Sequence, residues 1–124
     1  MKKHNFRELN IWKDSMNLVR KIYAISALLP SEERFGFISQ INRCSVSIPS
    51  NIAEGSGRSS NKEFMRFLEI AISSSYDLET QLILLKDIFQ LELDTVLKEL
   101  TLLQNKIGAF MRVIKNEIKM NKNT

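Results

Sequence analysis

The sequence predicts an all-α protein, an antiparallel four-helix bundle of up-down-up-down topology. Three observations carry that reading. Apolar residues recur at steps of three and four through four long stretches of the 124-residue chain. Only four Gly and two Pro interrupt them, too few for a turn-rich β fold. The stretches are joined by short turn signals, and short connections force neighbouring helices to run antiparallel. At 44% hydrophobic and 26% charged residues, the chain has the composition of one ordered domain with one core, residues 1–124. Tails of about residues 1–6 and 120–124 are expected to be mobile.

The first helix is expected from about residue 8 to 29. Trp12, Met16, Val19 and Tyr23 form one stripe, and Ile11, Leu18, Ile22 and Ile25 lie beside it. Pro30 ends the helix, and Ser31 is placed to cap the next. In the second helix Ile38, Ile41, Ser45, Ile48, Ile52 and Gly55 keep the spacing, although Pro49 stands inside it. Such a proline removes a backbone donor and crowds the preceding turn, at about 3 kcal/mol in a free helix. It reads as a kink whose cost is offset by packing against Trp12 and Leu68. Gly57 is expected as a left-handed stop.

Ser60 with Glu63 reads as a capping box that opens the third helix. There Phe64, Leu68, Ala71, Ser75, Leu78, Leu82, Leu85 and Phe89 hold the heptad. A turn near residues 91–94 leads to the fourth helix, with Val96, Leu100, Leu103, Ile107, Phe110 and Ile114 in register. Folding the chain about these turns sets Ser45 level with Ala71, Met16 and Phe110, two small residues against a ring. Ile48 and Pro49 come level with Trp12, Leu68 and Ile114. The second stripe on the first helix, with Met65, Ile72, Ile83, Leu102 and Val113, exceeds what one bundle buries. That surplus predicts self-association.

Enzymatic chemistry is poorly supplied. His4 is the only histidine, no Glu-x-x-His pair exists, and one Cys with one His cannot make a zinc site. Cys44 lacks a histidine partner and reads as a small buried side chain. No metal, cofactor or small-molecule substrate is expected. A lone cysteine fits a reducing cytoplasm, and no apolar run reaches the ~18 residues of a membrane span. Gly55-Ser56-Gly57-Arg58 superficially resembles a phosphate loop, but a helix precedes it and Gly-Lys-Ser/Thr is absent. A helix stop and a capped start explain it. The amides that begin the third helix, with Arg58 and Lys62 nearby, are still placed to meet a phosphate.

The net charge of +4 is unevenly spread: residues 1–7 carry +3, residues 106–124 carry +4, and the remainder sums to −3. An up-down-up-down bundle gathers both termini and the middle turn at one end. Lys2, Lys3, Arg7, Arg58, Lys62, Arg112, Lys115, Lys119 and Lys122 would meet there, an electrostatic footprint for nucleic acid. Glu32, Glu33, Asp87, Glu92 and Asp94 would gather at the other end. Gln40, Ser47, Asn51, Glu54 and Arg58, with Arg43 alongside, form a polar line on the second helix, suited to hydrogen bonds between helices.

The runs "SIPSNIAEGSGR" at 47–58, "FRELNIWKDS" at 6–15 and "KEFMRFLEIAISSSYDLETQL" at 62–82 resemble the four-helix-bundle family of 23S rRNA intervening-sequence proteins. The related accessory proteins of diversity-generating retroelements share that fold. The resemblance implies a left-handed antiparallel bundle and a homopentamer, with no established enzymatic activity. With the basic pole, the expectation is a nucleic-acid-associated, non-enzymatic bundle, RNA being the favoured target. The resemblance marks Pro49, Asn51, Glu54, Gly55, Gly57 and Arg58 as motif positions. Asn42-Arg43-Cys44-Ser45 departs from the usual arginine-richer run, which weakens a basic surface there. The alternative is a scaffold that binds only protein.

Overall fold

In the computed structural model, which describes residues 4–122, four helices follow one another: α1 (Asn10–Ser26), α2 (Ser39–Ser56), α3 (Asn61–Phe89) and α4 (Asp94–Lys122). The described residues include no strand, so the fold is all-α. Side-chain pairs fix the directions. Lys86 meets Asp94 at one end of the α3–α4 seam, Gln104 donates to Glu79 midway, and Asn61 donates to Glu117 at the other end. Lys21–Glu99 and Asp14–Lys106 run in the same opposed sense between α1 and α4. Ser47 meets Ser74, and Gln81 lies over Cys44, between α2 and α3. Each helix is thus antiparallel to its neighbours.

α2, α3 and α4 turn their heptad residues inward, whereas on α1 the buried face is Ile11, Ser15, Leu18 and Ile22 and the stripe of Trp12, Met16, Val19 and Tyr23 faces outward. Ile22, Ile41, Ile48, Ile52, Phe64, Leu68, Leu82, Leu100, Ile107 and Ile114 are fully buried. At about 25 cal/mol per Å², such burial is the main force holding the helices together. Serines share that interior: Ser15, Ser26, Ser45, Ser56 and Ser75 are buried, and each donates to the carbonyl three residues earlier. That bond satisfies the hydroxyl without a partner helix, so the serine acts as a small spacer.

The turns depart from expectation, and so does the register. α1 ends at Ser26 rather than Leu29. The second helix does not start at Ser31. A 3-10 turn over Ser31–Glu33 and a wide turn over Arg34–Ile38 come first, with Gly36 in a non-helical conformation. Gly57 is not left-handed: its φ of −90° and ψ of −1° continue the right-handed path, and the chain reverses over Gly57–Ser60 instead. The α2–α3 pairing is displaced as well. The Ser47–Ser74 bond and the Gln81–Cys44 contact set Ser45 more than a turn beyond Ala71 along α3.

Two other placements change with it. Pro49 is buried beside Met16 and Val19 as well as Trp12, not opposite Leu68. Phe110 is half-buried and packs on Phe64 and His4, with ring centroids 5.6 and 5.9 Å away. At the ends, His4 and Phe6 pack against rings, and residues 120–122 continue α4.

Candidate nucleic-acid interface

One end of the bundle is built from the start of α1, the α2–α3 turn and the last turns of α4. A 3-10 turn over Phe6–Glu8, capped by the Asn5 side chain, precedes α1 and packs against α2. His4 lies 5.4 Å from Phe64 at the start of α3 and 5.9 Å from Phe110 on α4. Asn61, buried at the first position of α3, donates to Glu117 at 3.0 Å. The three segments therefore meet, as the topology requires.

Of the predicted cations, Lys2, Lys3 and the side chain of Lys122 lie outside the described residues. Arg7 is exposed, with its guanidinium carbon 4.5 Å from the centre of the Phe6 ring. Arg58 sits 4.6 Å over the ring of Phe67, and its Nη2 donates to Glu54 at 2.8 Å. Lys62 and Lys119 are exposed on the first turn of α3 and the last turns of α4. Arg112 and Lys115 line a groove on the flank between α3 and α4, further down the bundle than the end itself, with Glu69 on its opposite wall. The geometry thus brings Arg58 to Glu54 and Phe67, and Arg112 to Lys115. It spreads the set over an end and a flank.

The start of α3 is capped as its sequence implies. Ser60 accepts from the Glu63 amide at 3.2 Å, while the Glu63 carboxylate accepts from Ser59 rather than completing the reciprocal box. With Glu63 and Glu117 against it, this helix end already has acidic partners for its dipole. The motif residues have distinct tasks. Asn51 donates to the Ser47 carbonyl at 2.8 Å and to its hydroxyl at 3.0 Å, and Ser47 bonds Ser74 at 2.8 Å, tying α2 to α3. Gly55 is buried where the helices nearly touch: a Cβ there would lie 2.6 Å from the Phe67 Cβ. Missing that Cβ, α2 admits Phe67 beneath Arg58. The rings under Arg7 and Arg58 escaped the sequence reading; only the adjacency of Phe6 and Arg7 hinted at the first.

Cys44 is half-buried, and burial pushes its thiol above its ordinary range; the Gln81 amide at 3.7 Å pulls the other way, and Asp77 adds to the rise. The described residues hold no cluster of three or more His, Cys, Asp or Glu able to bind a metal. Nor is any of their helices long and apolar enough to cross a membrane.

A family model described as 23S rRNA-intervening sequence protein matches residues 7–112. No curated protein matches the chain. Among solved structures, the fold is similar to that of a protein of unknown function from the S23 ribosomal protein family of Bacteroides thetaiotaomicron. The TM-score is 0.75 at 22% identity, covering 82% of this chain and 97% of the other.

Proposed function

The chain belongs to the 23S rRNA-intervening sequence protein family, and from that premise we propose a non-enzymatic homo-oligomer that binds RNA through its basic end. One observation carries the reading. Lys62 and Lys119 stand exposed at that end, and Lys115 on the adjoining flank, without an ion pair among the described residues. Lys21, Lys86 and Lys106 each hold a carboxylate, while Lys98 and Arg34, also unpaired, stand at the end that carries Glu32, Glu33, Glu92 and Asp94. Unpaired cations are free to neutralise phosphate and release its counterions, which drives association.

Assembly is supported by two unlike apolar faces. Trp12, Met16, Val19, Val46, Pro49 and Ala53 line an outward groove of about 360 Å³ between α1 and α2. Met65, Ile72, Tyr76, Met111 and Ile118 line one of about 500 Å³ between α3 and α4, on the opposite edge. Unlike faces joined head to tail generate rings when the rotation closes. The family resemblance suggests five copies, and a ring would multiply weak phosphate contacts. The second reading, a protein-only scaffold, is favoured by Phe35 and Leu28, which are 89% and 70% exposed at the acidic end.

Titration with structured rRNA fragments at several salt concentrations separates the two readings. Phosphate contacts make log K fall linearly with log salt. Absence of binding even at low salt would leave the scaffold.

A further inference from the structure

We infer that unpaired RNA bases stack on the guanidinium faces of Arg7 and Arg58, so that the ligand is single-stranded RNA; this rests on the RNA-binding reading above. Two arginines at the same end each cover an aromatic ring, Arg7 on Phe6 and Arg58 on Phe67, at 4.5 and 4.6 Å. Both rings are themselves supported from below. Phe6 meets Trp12 at 5.3 Å in an edge-on arrangement, and Phe67 presses against the missing side chain of Gly55.

The charge of Arg58 argues against a phosphate ligand. Its Nη2 already donates to Glu54 at 2.8 Å, so a phosphate would compete with a carboxylate in place. A base needs only the free face of the planar cation, and the Arg58 side chain remains 41% exposed. A guanidinium held over a ring has its plane set beforehand, which lowers the ordering cost of stacking a base. Glu54, Gly55 and Arg58 then share one purpose: the acid orients the guanidinium, the glycine admits the ring, and the arginine presents the surface. Lys62, four residues after Arg58 and exposed, is placed for the adjoining backbone. Duplex RNA keeps its bases stacked and its major groove closed to side chains, whereas single strands offer bases to such platforms.

Fluorescence anisotropy with a short RNA strand, an abasic strand of the same length and charge, and the corresponding duplex tests this. The base-bearing strand should bind about tenfold more tightly than the abasic one, and more tightly than the duplex. Arg7→Lys with Arg58→Lys keeps the charge but removes the planar surface. It should weaken binding of the strand about tenfold while leaving the abasic strand and the salt slope unchanged. Phe67→Leu, which keeps apolar packing against Gly55, should give the same selective loss. Equal affinity for the two strands, or a double lysine variant that binds like the parent, would overturn the stacking and leave the phosphate reading intact. No binding of either strand at low salt would remove the RNA reading, and this inference with it.

Discussion

Gly55 stands where a Cβ would meet the Phe67 Cβ at 2.6 Å and the Phe64 ring at 2.9 Å, so Gly55→Ala must push α2 and α3 apart. The shift should cost about 1–3 kcal/mol, more than the helix propensity gained. Gly57→Ala is the control: φ is −90° and the nearest atom would be 3.7 Å from the new Cβ. It should be neutral or stabilising by up to ~1 kcal/mol. Urea midpoints for the two variants check this; similar values would remove close approach as the reason for Gly55. A second pair concerns the aromatic cluster under His4. Phe64 is fully buried and Phe110 half-buried. Phe64→Ala should cost ~3–5 kcal/mol, and Phe110→Ala clearly less. The reverse order in denaturation would place the weight of that cluster on α4.

Between α3 and α4 the chain turns through Gln90, whose φ of 54° is the left-handed conformation that a side chain resists. Gln90→Gly should raise stability by up to ~1 kcal/mol, read as a higher thermal midpoint. The same turn carries an ion pair, Lys86 to Asp94 at 2.6 Å. Hydrogen bonding from Lys86, then its charge, holds the Asp94 carboxyl below the usual carboxylate range. A carboxyl depressed in the folded state contributes stability above its unfolded pKa and loses it as pH falls through the folded value. Both groups are exposed, so the contribution is small and screened by salt. The expected signature is spectroscopic: in Lys86→Ala, the Asp94 resonance should titrate at higher pH than in the parent.

For the whole molecule, the outward groove between α1 and α2 makes assembly testable without touching the basic end. Val46 is 39% exposed and lines that groove, so Val46→Glu should leave the helices folded while placing a charge in the proposed subunit contact. Light scattering should give several times 14.4 kDa for the parent and the single-chain mass for the variant. An unchanged mass with unchanged circular dichroism would mean that this face is not the contact. If assembly multiplies phosphate contacts, RNA affinity should fall with the mass, by more than any local charge change accounts for.

The helices, and the buried faces of α2, α3 and α4, were legible in the sequence, because a period of 3.6 residues is a local property of each segment. Ser60 announced the start of α3 for the same reason, since a cap bonds an amide three residues away. On α1, with two apolar stripes, only the packing decided that Ile11, Leu18 and Ile22 go inward. Register was not local. Ser45 lies beyond Ala71, and Pro49 beside Met16, because register is set by the path of each reversal and the packing of whole helices. A displacement of a few residues at a turn is carried along the whole seam, while no apolar stripe records it. Gly57 could be marked as a break from its sequence, but its sign of φ was decided by how α2 and α3 approach. The docking of His4 on Phe64 and Phe110, and of Arg58 on Phe67, likewise joins segments through space. Sequence alone therefore determined four amphipathic helices and a chain with basic ends. Only the tertiary structure decided which cations are partnered, which lie over a ring and which stand free, because those contacts depend on the helices meeting at Gly55 and on the turns between them.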